Sequence, residues 1–204
     1  MDAQTLLSLM EQAGKLKVLP RTGWLLRGMK NPESVADHLY RTSLLSMVLA
    51  DILVEQGLTL DAAKVMRMAM LHDLAESQVG DIPYPAMAFI DVEVKHASER
   101  AALQKLLKGF GPLTDAYMRL WEEFEAGETA EARLVRAADK LELMIQVYEY
   151  EKVGYRSLGD FWENMANYNG FAVYPVVEQV MALIRNKHQE LLPIERRQAA
   201  SDLM

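Results

Sequence analysis

The sequence predicts a single all-α domain of about six to eight helices. Apolar residues recur at helical spacing almost throughout the chain. Gly and Pro are scarce, at 11 and 7 residues, and 13 Met stand against 5 Phe, which leans away from a turn-rich β-sandwich. No internal repeat, low-complexity segment or dividing linker interrupts the 204 residues. A domain of that size buries roughly 70% of its unfolded surface and needs no covalent staple.

Each element follows in order. Leu6, Leu7, Leu9, Met10, Ala13 and Leu16 form one stripe on a helix over 3–18, which Pro20 and Gly23 interrupt. Asn31-Pro32-Glu33 reads as the next start, with Asn as cap, Pro in the first turn and an acid at the positive end of the dipole. That helix should reach about Gln56 and stop at Gly57. Thr59 is the expected cap of a helix running through Val65, Met66, Ala69, Met70 and Leu74 to about Ser77, with Met66, Met68 and Met70 as core packing. The segment 78–86 holds one Gly and two Pro and reads as a loop. Further helices are expected over 91–109, 113–126, 129–153 and 174–191. The region 155–172 is ambiguous, with one short aromatic-rich helix as the expectation. The domain is assigned to residues 1–195, and 196–204 reads as a frayed tail.

Composition removes several chemistries. The chain has no Cys, so disulfides, thiolate zinc sites and cysteine nucleophiles are excluded, and any metal must be held by His, Asp or Glu. A net charge of −7 argues against a nucleic-acid polymer as partner, but a bound cation can reverse the sign locally for a small phosphorylated substrate. The acidic start and the lack of an apolar run of membrane-spanning length give a cytoplasmic protein without a membrane partner as the expectation. No Gly-rich phosphate loop or nucleophile elbow supports an NTPase or a serine hydrolase.

The densest chemical signal is Met70-Leu71-His72-Asp73-Leu74-Ala75-Glu76. On a continuous helix His72 and Glu76 share a face, and the apolar neighbours imply burial, which is costly for an imidazole and two carboxylates without a cation. Taken alone, a hydrogen-bonded His with salt-bridged acids explains the segment as well. His38 alone reads as an ordinary packed or surface residue, and Asp139 alone as a partner of Lys140. The four-carboxylate run Glu122, Glu123, Glu125 and Glu128 reads as a wet helix face. His96 and His188, among polar neighbours, read as solvated.

Taken together, His38, His72-Asp73 and Asp139 fall in that order on three different helices. That order, with Pro20-Arg21-Thr22-Gly23-Trp24, Asn31-Pro32-Glu33-Ser34-Val35-Ala36-Asp37-His38, Val79-Gly80-Asp81-Ile82 and Leu120-Trp121-Glu122-Glu123-Phe124-Glu125, resembles the HD-domain metal-dependent phosphohydrolases in their 5′-deoxynucleotidase branch. The resemblance covers roughly residues 10–155. It implies a divalent ion (Mn, Co, Ni, Zn or Mg) on His38, His72, Asp73 and Asp139, and a (deoxy)nucleoside 5′-monophosphate as substrate, hydrolysed by a metal-activated water. Glu76 and Asp81 would assist that water or the leaving oxygen. A second cation near Glu76, Asp81 and the Ile82 carbonyl is known in some members. Arg21 would grip the phosphate and Trp24 would shape the sugar or base pocket. The spacing Arg-Thr-Gly-Trp matches the eukaryotic-type branch rather than the bacterial form, where Arg and Trp are adjacent. The family also implies a homodimer, with the 155–180 region as a source of contacts. The alternatives are another HD phosphohydrolase, acting on a dNTP, a cyclic nucleotide or an alarmone, and a metal- and nucleotide-binding protein without turnover.

Overall fold

A computed structural model of the chain describes residues 2–192, so the expected tail at 196–204 lies outside the described residues. Ten α-helices and four 3-10 turns make up the described residues, with no strand among them. Seven of the helices have ten residues or more. The chain divides into two compact units at the Val135–Arg136 step, inside helix α8.

The first unit opens with α1 (Ala3–Ala13), capped by Asp2, and a 3-10 turn over Gly14–Lys17. The short α2 (Thr22–Leu25) follows. An isolated antiparallel bridge pairs Pro20 with Ser34. Beside it, Arg21 N–H donates to the Glu33 carbonyl at 3.0 Å and Val35 N–H to the Leu19 carbonyl at 2.9 Å. These bonds hold residues 31–34 extended, so α3 (Val35–Glu55) starts after Pro32 rather than around it.

Its cap is therefore Ser34, and the expectation of Asn31 is corrected. Asp37 N–H donates to Ser34 Oγ at 3.1 Å while Ser34 N–H donates to Asp37 Oδ2 at 2.8 Å, a reciprocal capping box. Ser34→Ala should cost about 1 kcal/mol, a fall in Tm of roughly 2–4 °C for a chain of this length. Thermal unfolding followed by circular dichroism reads it, and an unchanged Tm would remove the box from the account of where α3 begins.

Helix α4 (Ala62–Leu71) is capped by Asp61 rather than Thr59, and it does not continue to Ser77. Residues 72–75 form a tightened turn, with bonds from Leu74 N–H to the Leu71 carbonyl and from Glu76 N–H to the Asp73 carbonyl, before the short α5 (Glu76–Val79). A 3-10 turn over Tyr84–Ala88 then gives partial order to the expected loop. Helices α6 (Val92–Leu106) and α7 (Pro112–Ala126) match the spans expected over 91–109 and 113–126 to within a few residues. Leu16, Val35, Leu39, Leu74, Ala75, Leu103, Leu107 and Trp121 form one buried cluster, which fastens the 72–76 turn to α3 and α6. Met68 joins the core, but Met70 is exposed, so the expected methionine stripe is only partly core.

The second unit takes most of α8 (Ala130–Lys152), then α9 (Gly159–Glu163) and α10 (Pro175–Leu191). Three short turns, α9 included, replace the single short helix expected over 155–172. Phe171, Tyr174, Val177, Met181 and Ile184 bury one face of the α10 region. His188 is not solvated as expected. Its Nδ1 lies 2.6 Å from Glu151 Oε2 and its ring stacks on Trp162 at 4.0 Å. Among the described residues no helix is long and apolar enough to cross a membrane.

Candidate active site

In the first unit, three elements bring their polar side chains to one carboxylate oxygen. His38, in the first turns of α3, is fully buried. His72 closes α4, and Asp73 is the next residue. His38 Nε2 lies 3.6 Å and His72 Nε2 3.4 Å from Asp73 Oδ2, and Arg21 Nη1 reaches the same oxygen at 3.2 Å. The two imidazoles sit 5.7 Å apart in an edge-to-face arrangement. Phe124 of α7 packs on the His72 ring at 5.2 Å.

The tautomer of His72 follows from its partner. Its Nδ1 lies 2.8 Å from the Ala69 carbonyl, an acceptor only, so Nδ1 carries the proton. In the neutral ring the Nε2 lone pair then points at the Asp73 carboxylate. Two electron-rich atoms facing each other in a buried site need a positive charge between or beside them, which a second ring proton or a cation supplies. Ligands each about 2.1 Å from one ion lie roughly 3.0–3.4 Å apart, which is close to the spacing found. The His38 and His72 ligand nitrogens also lie within 4.8 Å of each other. The donors present therefore fit a divalent ion, and backbone orientation of His72 is the support such a ligand needs.

The electrostatics separate the two acids of the turn. Burial pushes Asp73 up, but the positive charge that His72 and His38 carry when metal-free and protonated, together with that of Arg21, outweighs it and holds the carboxyl well below its ordinary range. Glu76 is shifted the other way. Burial raises it well above the ordinary value, and the negative charges of Asp73, Asp81 and Glu99 add to this against Arg21. Its Oε2 is buried without a hydrogen-bond partner among the described residues. The tightened turn accounts for the pairing, because residues three apart eclipse when bonds run i to i−3. Glu76 N–H bonds the Asp73 carbonyl at 3.1 Å, so the two acids belong to one turn.

Asp81 follows Gly80, whose φ of +83° only glycine adopts without strain. It is held by Thr22, 59 residues away, through the Thr22 amide and hydroxyl. Ile82 is half-buried beside it. Trp24 is buried at 1% exposure and donates its indole N–H to Glu33 Oε1 at 2.9 Å. Asp139 belongs to the second unit, half-buried on α8, with Lys140 Nζ 3.3 Å from its Oδ2.

The HD-domain family profile matches residues 13–170, more than three quarters of the chain. The chain belongs to the HD-domain family. A zebrafish (Danio rerio) protein named 5′-deoxynucleotidase HDDC2 is 36% identical over 91% of this chain and 87% of its own length. The human (Homo sapiens) protein of that name is 37% identical over 80% of this chain and 78% of its own. Among solved structures, a conserved hypothetical protein from Pyrococcus furiosus superposes with a TM-score of 0.76 at 37% identity, covering 86% of this chain and 99% of its own. As in other HD-domain phosphohydrolases, a divalent metal is implied, and the His-rich donor group of the first unit is suited to hold one.

Lys95, Glu99 and Thr22 escape a reading by motif. Lys95 of α6 pairs with buried Glu99 at 2.6 Å. Burial pushes its amine down, but Glu99, Glu125 and Asp73 raise it on balance, so it stays an ammonium close enough to feel the charge of Asp73. The i,i+4 spacing of Lys95 and Glu99 was visible, yet it is common on helix surfaces. His96 beside it is not solvated as expected, since its ring stacks on Trp121 at 4.9 Å. Thr22 gave no chemical signal in the sequence beyond its place between Arg21 and Trp24.

Proposed function

We propose that this HD-domain protein is a metal-dependent phosphomonoesterase that hydrolyses nucleoside 5′-monophosphates to nucleoside and phosphate, with preference for the deoxy forms. The observation that carries the reading is the convergence of His38, His72 and Arg21 on Asp73, with the buried, partnerless Glu76 oxygen one turn away. The relatives named 5′-deoxynucleotidase support the substrate class.

In this reading His38, His72, Asp73 and Asp139 hold the ion. Asp139 enters on the order of the motif along the chain. A divalent ion, when bound, neutralises the ligand carboxylates and acidifies water in its shell. Arg21 offers a planar fork of donors to the phosphate oxygens, still tethered to Asp73. Glu76, whose affinity for a proton burial has raised, takes the proton of the attacking water. Asp81 delivers or takes a proton at the leaving oxygen, and its backbone neighbour Ile82 completes a second cation position with Glu76. Trp24 shapes the sugar or base pocket, with its indole N–H donated to Glu33. A homodimer in the cytoplasm belongs to the same proposal. Its substrates are charged metabolites retained inside cells, and Met165 and Val173 expose apolar side chains in the 155–180 segment.

The test is phosphate release from a panel of deoxy- and ribonucleoside 5′-monophosphates, with Mn, Co or Mg added back to chelator-stripped protein. Metal-dependent release favouring the deoxy set is the expected result. Release of triphosphate or pyrophosphate from larger nucleotides, with none from monophosphates, would move the protein to another HD phosphohydrolase class. Tight nucleotide binding without release would make it a binding protein.

A further inference from the structure

Thr22 and Asp81 meet through three close contacts. The Thr22 amide donates to Asp81 Oδ2 at 2.5 Å, and the Thr22 hydroxyl lies 2.9 Å from the same oxygen and 2.8 Å from the Asp81 carbonyl. The amide N–H, and the one hydroxyl proton shared between Oδ2 and the carbonyl, therefore converge on this side of Asp81, leaving Oδ1 as the oxygen open to a further partner. The hydroxyl bridges the side chain and backbone of the same residue, which fixes the rotation of the carboxylate relative to its own peptide.

The other end of the contact is equally fixed. Thr22 follows Arg21, whose amide is bonded to Glu33 and whose guanidinium is 3.2 Å from Asp73. The acid loop after Gly80 is thus fastened to the turn that presents the guanidinium. The Asp81 charge is felt by Glu76, so the fastened carboxylate belongs to the same electrostatic neighbourhood.

We propose that Thr22 is the positioning residue for Asp81: it selects the carboxylate oxygen offered to substrate and keeps that oxygen in register with Arg21. The inference rests on the reading above, in which Asp81 acts at the scissile phosphate. Thr22 itself touches no reacting atom in this scheme.

Thr22→Val keeps the shape, the β-branch and the amide donor, and removes only the hydroxyl. Loss of a hydrogen bond to a charged group at a reacting centre lowers kcat by roughly ten- to a hundred-fold. KM for the nucleotide should stay within about threefold, because Arg21 is untouched. Thr22→Ser should restore kcat to within a few-fold of wild type, and Thr22→Val should add nothing on an Asp81→Asn background. Unchanged kcat in Thr22→Val, failure of Ser to rescue, or an equal loss on the Asp81→Asn background would overturn the assignment.

A readout independent of turnover accompanies these assays. In chelator-stripped protein the amide proton of Thr22 should exchange slowly by NMR, and Asp81→Ala should speed it by at least roughly tenfold. Equal exchange in the two proteins would show that Asp81 does not hold this amide. If wild type released phosphate from no nucleotide, the functional reading would fall, and the exchange comparison would still decide whether Thr22 holds Asp81.

Discussion

Glu76→Gln should cut phosphate release by about 10²–10⁴-fold while leaving the ion on His38, His72 and Asp73 in place. The side chain is buried, its Oε2 has no hydrogen-bond partner among the described residues, and its carboxyl is shifted well above the ordinary value. A group with those properties is costly to keep unless it has work to do, and a raised proton affinity is what a base for water needs. General-base contributions run to about 10²–10⁴-fold, so kcat should fall by that order with KM little changed. Gln keeps the volume and removes the base, which separates chemistry from packing. Metal per chain by atomic absorption, measured beside kcat, decides the role. Loss of the ion held by His38, His72 and Asp73 would make Glu76 its ligand, and retained turnover would end its role as base.

Asp73→Asn should have the opposite signature, losing the metal first and the activity as a result. The carboxylate is held ionised by the charges around it, so Asn removes a full negative charge while nearly preserving shape. Arg21, His38 and His72 all lie within 3.6 Å of its Oδ2. Replacing residues that merely support metal ligands costs about 10–100-fold in affinity, and replacing a ligand costs at least as much. Calorimetric titration of chelator-stripped protein with Mn should show a fall of roughly 100-fold or more. An unchanged affinity would assign Asp73 to Arg21 alone and leave the ion to other donors.

The fold was largely legible because helical periodicity survives in one dimension. The long helices α6, α7 and α10 begin and end within a few residues of the spans expected over 91–109, 113–126 and 174–191. The start of α3 was not legible, since Asn31-Pro32-Glu33 is a good cap by composition. The backbone pairing that keeps it extended comes from Leu19 and Arg21 on another segment. The break at His72 was hidden for a different reason: Leu71, Leu74 and Ala75 satisfy the stripe of a straight helix and of a tightened turn alike. His96 and His188 were misjudged because their polar sequence neighbours say nothing about Trp121 and Trp162, the rings they stack on. The order of His38, His72-Asp73 and Asp139 pointed to the family, while the hold of Thr22 on Asp81 could only be seen in three dimensions.

The backbone pairing of Leu19 and Arg21 with Val35 and Glu33 has an evolutionary consequence. It closes the base of the segment running from Thr22 to Pro32, so Arg21 and the start of the His38 helix are set by main-chain bonds that any side chains can make. Beyond the Thr22 and Trp24 anchors the segment is held again by buried Met29, whose amide bonds the Trp24 carbonyl, while Leu25, Leu26, Gly28 and Lys30 are exposed. Lengthening a closed loop costs only a logarithmic entropy term. With Met29 kept in place, the exposed positions of the arc are therefore free to drift, gain residues or acquire a new recognition surface without disturbing the donors beneath it. Substrate range in such a scaffold can diversify at the arc while the hydrolytic apparatus stays constant.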